Sequence, residues 1–386
     1  MSAVYFDNNA TTPLDPRVRE AMLPWLGERW GNPSSVHGFG RAAREAVEAA
    51  RAEVAALVGG GPEEVVFTSS GTESNNAVLW HAARACGFRG HLVLSALEHP
   101  SLRVLAEDLA ELGVETTLVA PGADGRVAPD AVRESLRADT RIVCLMSANN
   151  EIGTLQPVAE VAAVCRQAGV PLHCDAAQSL GKVAVDVGEL GADWMTLAAH
   201  KFHGPLGAAA LWVRSGAELR PWILGGGQER RRRASTENVA GIVGFGEAAR
   251  LARLELEQRG RHLRELRDRF EEGVTAIPDA VIHCRRSPRL PHTSHVAFPG
   301  LEGEALTIRL DLAGFAVSTG SACASGVVEP SPTLLAMGVA ADEALASLRI
   351  SFGTTNTLAE VDAFLEVLPR EVAALRRLTP ALGGGA

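Results

Sequence analysis

Three short segments carry residue types that belong to one chemistry. In TSSGTESNN (68–76), an apolar run gives way to small residues and hydroxyls where a helix should begin. Ser70, Gly71 and Thr72 offer hydroxyls and free backbone N–H groups at that helix start, which suits a phosphate. The same spacing, Ser70 with Glu73 three residues on, is also a capping box, and the two roles are compatible. In AHKFHGPLG (199–207), a lysine sits in an apolar, glycine-containing stretch. A lone loop lysine is ordinarily a surface residue. Held in an apolar site, however, it has a lowered pKa and makes a Schiff-base nucleophile. In HCDAAQ (173–178), Asp175 stands just past an apolar strand, where a carboxylate can face a ring nitrogen. Phosphate cradle, buried lysine and strand-end aspartate together are the parts needed to hold pyridoxal phosphate (PLP). Each signal is weak singly; the ordered set is strong.

The elements that must position these groups follow from the apolar pattern. Glu64–Thr68, His91–Ser95, Arg141–Met146 and Val170–Cys174 read as buried strands. Asn75–Cys86, Pro100–Leu112 and Val158–Ala168 read as helices between them. That alternation predicts an α/β fold with a mostly parallel sheet, and ligands bind beyond the carboxyl ends of such strands. Asp15–Leu26 and Pro33–Val58 read as N-terminal helices, and Gly225–Thr236 as a loop. A charged helix follows over about 240–276, then a strand at Thr293–Phe298 and helices at Glu302–Leu312 and Thr357–Leu375. The organisation predicted is an N-terminal segment (1–15), a large domain (16–255) and a smaller α+β domain (256–386).

Composition narrows the function classes. At roughly 150 residues per domain, 386 residues predict two or three domains with ample core. Net charge is −9, from 37 basic and 46 acidic residues, which argues against a dedicated nucleic-acid binder. The run Arg230–Arg233 reads as a solvated or interface loop, or as an electropositive rim near a phosphate or an acidic partner. No apolar run approaches the ~20 residues of a membrane span. The six cysteines lack any CxxC spacing, and the first residues lack signal-peptide character, so a cytoplasmic protein without structural zinc is expected. His200 and His203 come without a carboxylate motif, and no metal site is expected.

Nine segments, in order along nearly the whole chain, carry a family resemblance. They are FDNNATTPLDP (6–16), GNPSSVH (31–37), TSSGTESNN (68–76), EHPS (98–101), NNEIGTLQP (149–157), HCDAAQ (173–178), HKFHGP (200–205), GGGQERRRR…STENV (225–239) and STGSACASGVVEPS (318–331). With them the sequence resembles the PLP-dependent cysteine desulfurases of the class V aminotransferase family, in the nitrogen-fixation and iron–sulfur-cluster-assembly branch. The resemblance implies the type I PLP-transferase fold, a mixed seven-stranded sheet flanked by helices with a smaller α+β C-terminal domain. It implies that Lys201 holds PLP covalently, that Asp175 pairs with the pyridine nitrogen, and that Gln178 and Asn150 bond the ring's 3-hydroxyl. His99 would stack on the ring and move protons. Gly71, Thr72 and His200 would bind the phosphate, and Thr236 would reach it from the partner subunit of a homodimer. Arg349, with Asn32 beside it, would grip the carboxylate of L-cysteine. Cys323, in a loop of small residues that would let its thiol travel, would take the sulfur as a persulfide and pass it to an acceptor or iron–sulfur scaffold protein.

The pattern departs from the family at three places. Ala198 replaces a serine that usually bonds the phosphate. Leu206 replaces a lysine, and Ala234-Ser235 replaces Ser-Gly before Thr236. A selenocysteine lyase or another class V PLP enzyme is the alternative activity, and a catalytically idle assembly partner with this fold is the alternative role. A dinucleotide-binding oxidoreductase is discarded, since TSSGTES supplies no GxGxxG.

Overall fold

The computed structural model describes residues 3–319 and 329–378. Seven strands form the main sheet, in the order Val65–Thr68, Ala209–Val213, Trp194–Ala198, Leu172–Asp175, Thr140–Cys144, Gly90–Ser95 and Val114–Val119. Ala209–Val213 runs antiparallel to both neighbours, and the other four pairings are parallel. The central strands are almost wholly buried, which is why segments such as Leu92–Leu94 and Ile142–Cys144 read as apolar runs. Alternate residues serve opposite faces. Phe67, Val93, Val143 and Met195 join one core with Val47 and Phe245, whereas Val66, Leu92, Ile142 and Leu211 join another with Leu79 and Leu102.

Three strands of this sheet escape the apolar-run reading. Val114–Val119 lies at an edge and is half polar. Trp194–Ala198 and Ala209–Val213 are buried, but alanine and tryptophan dilute their β-branched signal. The Gly71–Ala85 helix follows its cap Ser70, as the hydroxyl-rich segment implies, and so begins four residues ahead of the apolar period read from Asn75. One helix begins elsewhere than expected. The Gly38–Leu57 helix starts five residues late, because Asn32 Oδ1 takes the Ser34 N–H in a turn and His37 caps instead.

A three-stranded antiparallel sheet, Ser347–Ser351, Thr293–Ala297 and Val281–Ile282, anchors a further core. The Val239–Val274 helix serves both regions: Ile242, Phe245 and Leu251 pack in the large core, and Leu263, Leu266 and Phe270 in the smaller one. Phe6 packs with the smaller core as well, which ties the N-terminal residues across the cleft. None of the described helices is long and apolar enough to cross a membrane.

Candidate active site

A cavity of about 680 Å³ opens beyond the carboxyl ends of five strands. After Thr68 come Ser70, Gly71 and Thr72; after Ser95, Glu98 and His99; after Cys144, Asn150. After Asp175 comes Gln178, and after Ala198 come His200 and Lys201. Asp7 and Asn9 approach from the N-terminus, and Arg349 from the smaller sheet.

Lys201 closes a 3-10 turn directly after its strand. Its Nζ donates to the carbonyls of Asn9 (2.7 Å) and Ala10 (2.9 Å). Burial, helped by Arg349 and opposed by Asp175, lowers its pKa to about 8, so a neutral amine is accessible near physiological pH. Asp175 is oriented by two donors: Asn75 Nδ2 reaches Oδ2 at 2.8 Å, and the Ala177 N–H reaches Oδ1 at 3.0 Å.

His99 caps the Pro100–Glu111 helix, its Nδ1 accepting the Ser101 N–H at 3.1 Å. An accepting Nδ1 leaves the ring proton on Nε2, and burial pushes the pKa below the usual histidine value. The ring is therefore neutral at pH 7. His200, with Nδ1 3.1 Å from Thr11 Oγ1, is pushed down to about 4 by burial and by the neighbouring Lys201 and Lys182. It would meet a phosphate as a neutral donor.

Arg349 Nη2 donates to Asp7 Oδ1 at 2.7 Å and Nη1 to the Asn150 carbonyl at 3.1 Å, while its buried Nε has no partner. The residue lines the cavity, where a guanidinium fixed by two partners would suit a carboxylate. Ser70 caps its helix as expected, accepting the Glu73 N–H. The Glu73 carboxylate instead reaches Ser69 and Arg233, so the box is only half formed. Ala198 lines the cavity. Thr196 does not line it, since its hydroxyl is engaged by His173 Nε2 at 3.0 Å, and so it does not replace the missing serine.

Two expected residues stand apart in this single chain. Asn32 and Thr236 are exposed and do not line the cavity. Cys323 lies outside the described residues. On either side of it, Ser318 before and Glu329, Pro330, Pro332 and Thr333 after do line the cavity. Of the arginine run, Arg230 and Arg231 are exposed, Arg232 donates to the Glu63 carbonyl and Arg233 pairs with Glu73.

The sequence reading missed several residues here. Asp7, Asn9 and Asn75 act through hydrogen bonds to residues far away in sequence, which leave no compositional trace. Glu98 is fully enclosed; burial first, and Asp175 second, push its carboxyl up to about 8. Lys182 is a second buried lysine in an apolar run, and the signal that picked out Lys201 could have found it. The set fits PLP: an amine, a carboxylate held by two donors, the N-terminus of a fifteen-residue helix, and orphan polar atoms on Asn75 and Arg349.

Comparison with known proteins agrees with this geometry. The model of the family described as Aminotransferase class-V matches residues 4–364. Cysteine desulfurase IscS of Dictyoglomus turgidum is 43% identical, over 98% of this chain and 96% of the relative. A cysteine desulfurase of Cereibacter sphaeroides is 45% identical, over 98% of each. A solved NifS-like protein superposes with a TM-score of 0.91 at 36% identity, covering 97% of this chain and all of that one. A structure of SspA in complex with cysteine gives a TM-score of 0.82 at 31% identity, over 92% of this chain and all of that one. A match of that extent, on a cavity that gathers the expected lysine, aspartate and histidine, means that the chain belongs to the aminotransferase class-V family.

Proposed function

We propose that this chain is a PLP-dependent cysteine desulfurase that turns L-cysteine into L-alanine and leaves the sulfur as a persulfide on Cys323. The observation that carries the reading is a juxtaposition. The residues flanking Cys323 on both sides line the same cavity as Lys201, Asp175 and His99. When bound, PLP supplies an electron sink that stabilises negative charge at the substrate α-carbon. Lys201 would tether it, and Asp175 would sit against its ring nitrogen, kept in place by Asn75 and Ala177. Gly71, Thr72 and His200 would hold the phosphate. Arg349, which lines the cavity, would take the substrate carboxylate, with Asn32 as a further ligand.

Proton movements fall to two groups. Lys201 as a neutral amine would remove the α-proton, a task suited to its pKa of about 8. His99, carrying its proton on Nε2, would stack on the ring and exchange protons with the substrate sulfur and Cys323. The Cys323 thiolate attacks the substrate sulfur, and an S–S bond forms as the C–S bond breaks. The electron pair of that bond stays with carbon, which is then protonated to give alanine. The persulfide would pass to an acceptor or iron–sulfur scaffold protein in the cytoplasm.

A homodimer completes the site in this reading, with Thr236 reaching the partner's phosphate. Its exposure away from its own cavity supports that role. So does an exposed apolar surface at Leu23, Leu26, Trp30, Val36 and Phe39, where Trp30 stacks on Phe39 at 4.8 Å. That SspA was solved with cysteine supports the substrate. The test is alanine release from L-cysteine by PLP-loaded protein with a thiol reductant, beside Cys323→Ser. Wild type should release alanine and carry a persulfide detectable by alkylation and mass; the variant should do neither. PLP-loaded wild type that makes no alanine would overturn the reading.

A further inference from the structure

Lys182 lies four residues beyond Gln178, just past the strand that ends at Asp175. It is only 6% exposed, and a lysine buried so far is rare without a partner or a task. Among the described residues it has no ion pair, and its one hydrogen bond runs from Nζ to Gln178 Oε1 at 3.2 Å. Gln178 in turn donates from Nε2 to the Asn9 carbonyl at 3.0 Å. That carbonyl also accepts Lys201 Nζ at 2.7 Å. One amide thus links the two buried lysines.

The chemistry of these partners admits a single orientation of the Gln178 amide. A backbone carbonyl can only accept, so Nε2 must face Asn9, which leaves Oε1 to accept an N–H from Lys182. Burial pushes the Lys182 pKa far down, but a neutral amine still carries N–H groups, so the bond survives either protonation state. The second N–H of Nε2 has no partner among the described residues, and Gln178 lines the large cavity. On its other side Lys182 borders a small cavity of about 20 Å³ shared with His292, whose Nδ1 is buried without a partner. That space suits one water, which would satisfy Lys182 without drawing it from Gln178.

We propose that Lys182 is a positioning residue that locks the Gln178 amide so that an N–H, and not the oxygen, is presented to the phenolic oxygen of PLP. The inference rests on the PLP reading above. Without Lys182 the amide is held only by the Asn9 carbonyl, which Lys201 Nζ also occupies, so its free N–H is aimed less firmly and a charge-assisted hydrogen bond is weakened.

The experiment is equilibrium PLP binding, followed by visible absorbance, in wild type, Lys182→Met, Gln178→Ala and the double variant, with thermal unfolding as the control for folding. A hydrogen bond to a charged oxygen predicts that Lys182→Met binds PLP about tenfold more weakly. In the Gln178→Ala background the same change should have no further effect, because Lys182 acts only through that amide. A residue that merely fills the core would instead weaken both backgrounds equally. Lys182→Gln retains a donor and should bind PLP more tightly than Lys182→Met; were the methionine variant unfolded, Lys182→Gln beside Lys182→Ala carries the same comparison. Equal affinity in wild type and Lys182→Met, or fully additive losses, would overturn the proposal. Wild type that bound no PLP would instead sink the reading beneath it.

Discussion

Ala198 is where this chain gives up a contact that the family pattern supplies. Its side chain lines the cavity at the end of a parallel strand, across from Gly71; a Cβ on Gly71 would lie 3.9 Å from the Ala198 Cβ. A hydroxyl at this position would sit at the N-terminal end of the Gly71–Ala85 helix, where phosphate is expected. Thr196, two residues earlier, is occupied by His173. Ala198→Ser should therefore tighten PLP binding by about tenfold, the worth of one hydrogen bond to a charged group. Equilibrium PLP titration of the two proteins checks this, and unchanged affinity would mean that the phosphate lies elsewhere. Residues of this kind were legible in the sequence because they sit at strand ends in family motifs. Asn75, which holds Asp175, was not, and Lys182 could be picked out as a lysine in an apolar run but not for its hold on Gln178. Their roles depend on which atom meets which across elements far apart in the chain, and no local pattern encodes that.

At the scale of elements, the loop after Gly225 is the part of the fold under most backbone strain. Glu229, Arg230 and Arg231 all have positive φ (45°, 55° and 64°), and Ser235 has φ 111°. The cause of the first three is visible. The Glu229 carboxylate is drawn inside by a bidentate Arg51 at 2.7 and 2.8 Å and by the Phe67 N–H at 2.9 Å, and the chain must turn sharply to deliver it. Ser235 has no such compensation: its hydroxyl makes only a marginal 3.5 Å contact with the Thr236 carbonyl. It also stands where the family pattern has glycine. Relief of left-handed strain outweighs the added freedom of glycine in the unfolded chain, so Ser235→Gly should stabilise by about 1 kcal/mol. Urea unfolding at matched protein and PLP concentrations measures it; a loss of stability would show that Ser235 is held by contacts the single chain lacks. Sequence reading placed a loop here but not its course, since a buried glutamate beside four arginines looks like part of a solvated charge run. The helices were read more closely because capping and apolar period are local signals. The Ala209–Val213 strand was missed because alanine and tryptophan dilute its β-branched signal, and one of its two neighbours, Val65–Thr68, lies far away in sequence.

At the scale of the whole molecule, one chain leaves the proposed site incomplete. Thr236 is exposed and lies off its own cavity, and the apolar side chains around Trp30 and Phe39 are open to solvent. If two copies pack through that face, each cavity would borrow Thr236 from the other chain, and the dependence can be read by mixing defects. Lys201→Ala removes the tether but leaves Thr236 intact. Thr236→Ala leaves the tether but removes the donated hydroxyl, and its homodimer should hold PLP about tenfold more weakly. In a heterodimer of the two, isolated through different affinity tags, the Thr236→Ala chain keeps Lys201 and faces an intact Thr236 across the interface. It should carry one tethered PLP per dimer at wild-type affinity. Were Thr236 to act within its own chain, that site would stay as weak as in the Thr236→Ala homodimer. The two outcomes differ in the affinity of a single chromophore. The experiment therefore separates a dimer that merely buries apolar surface from one in which each subunit builds half of the other's cofactor site.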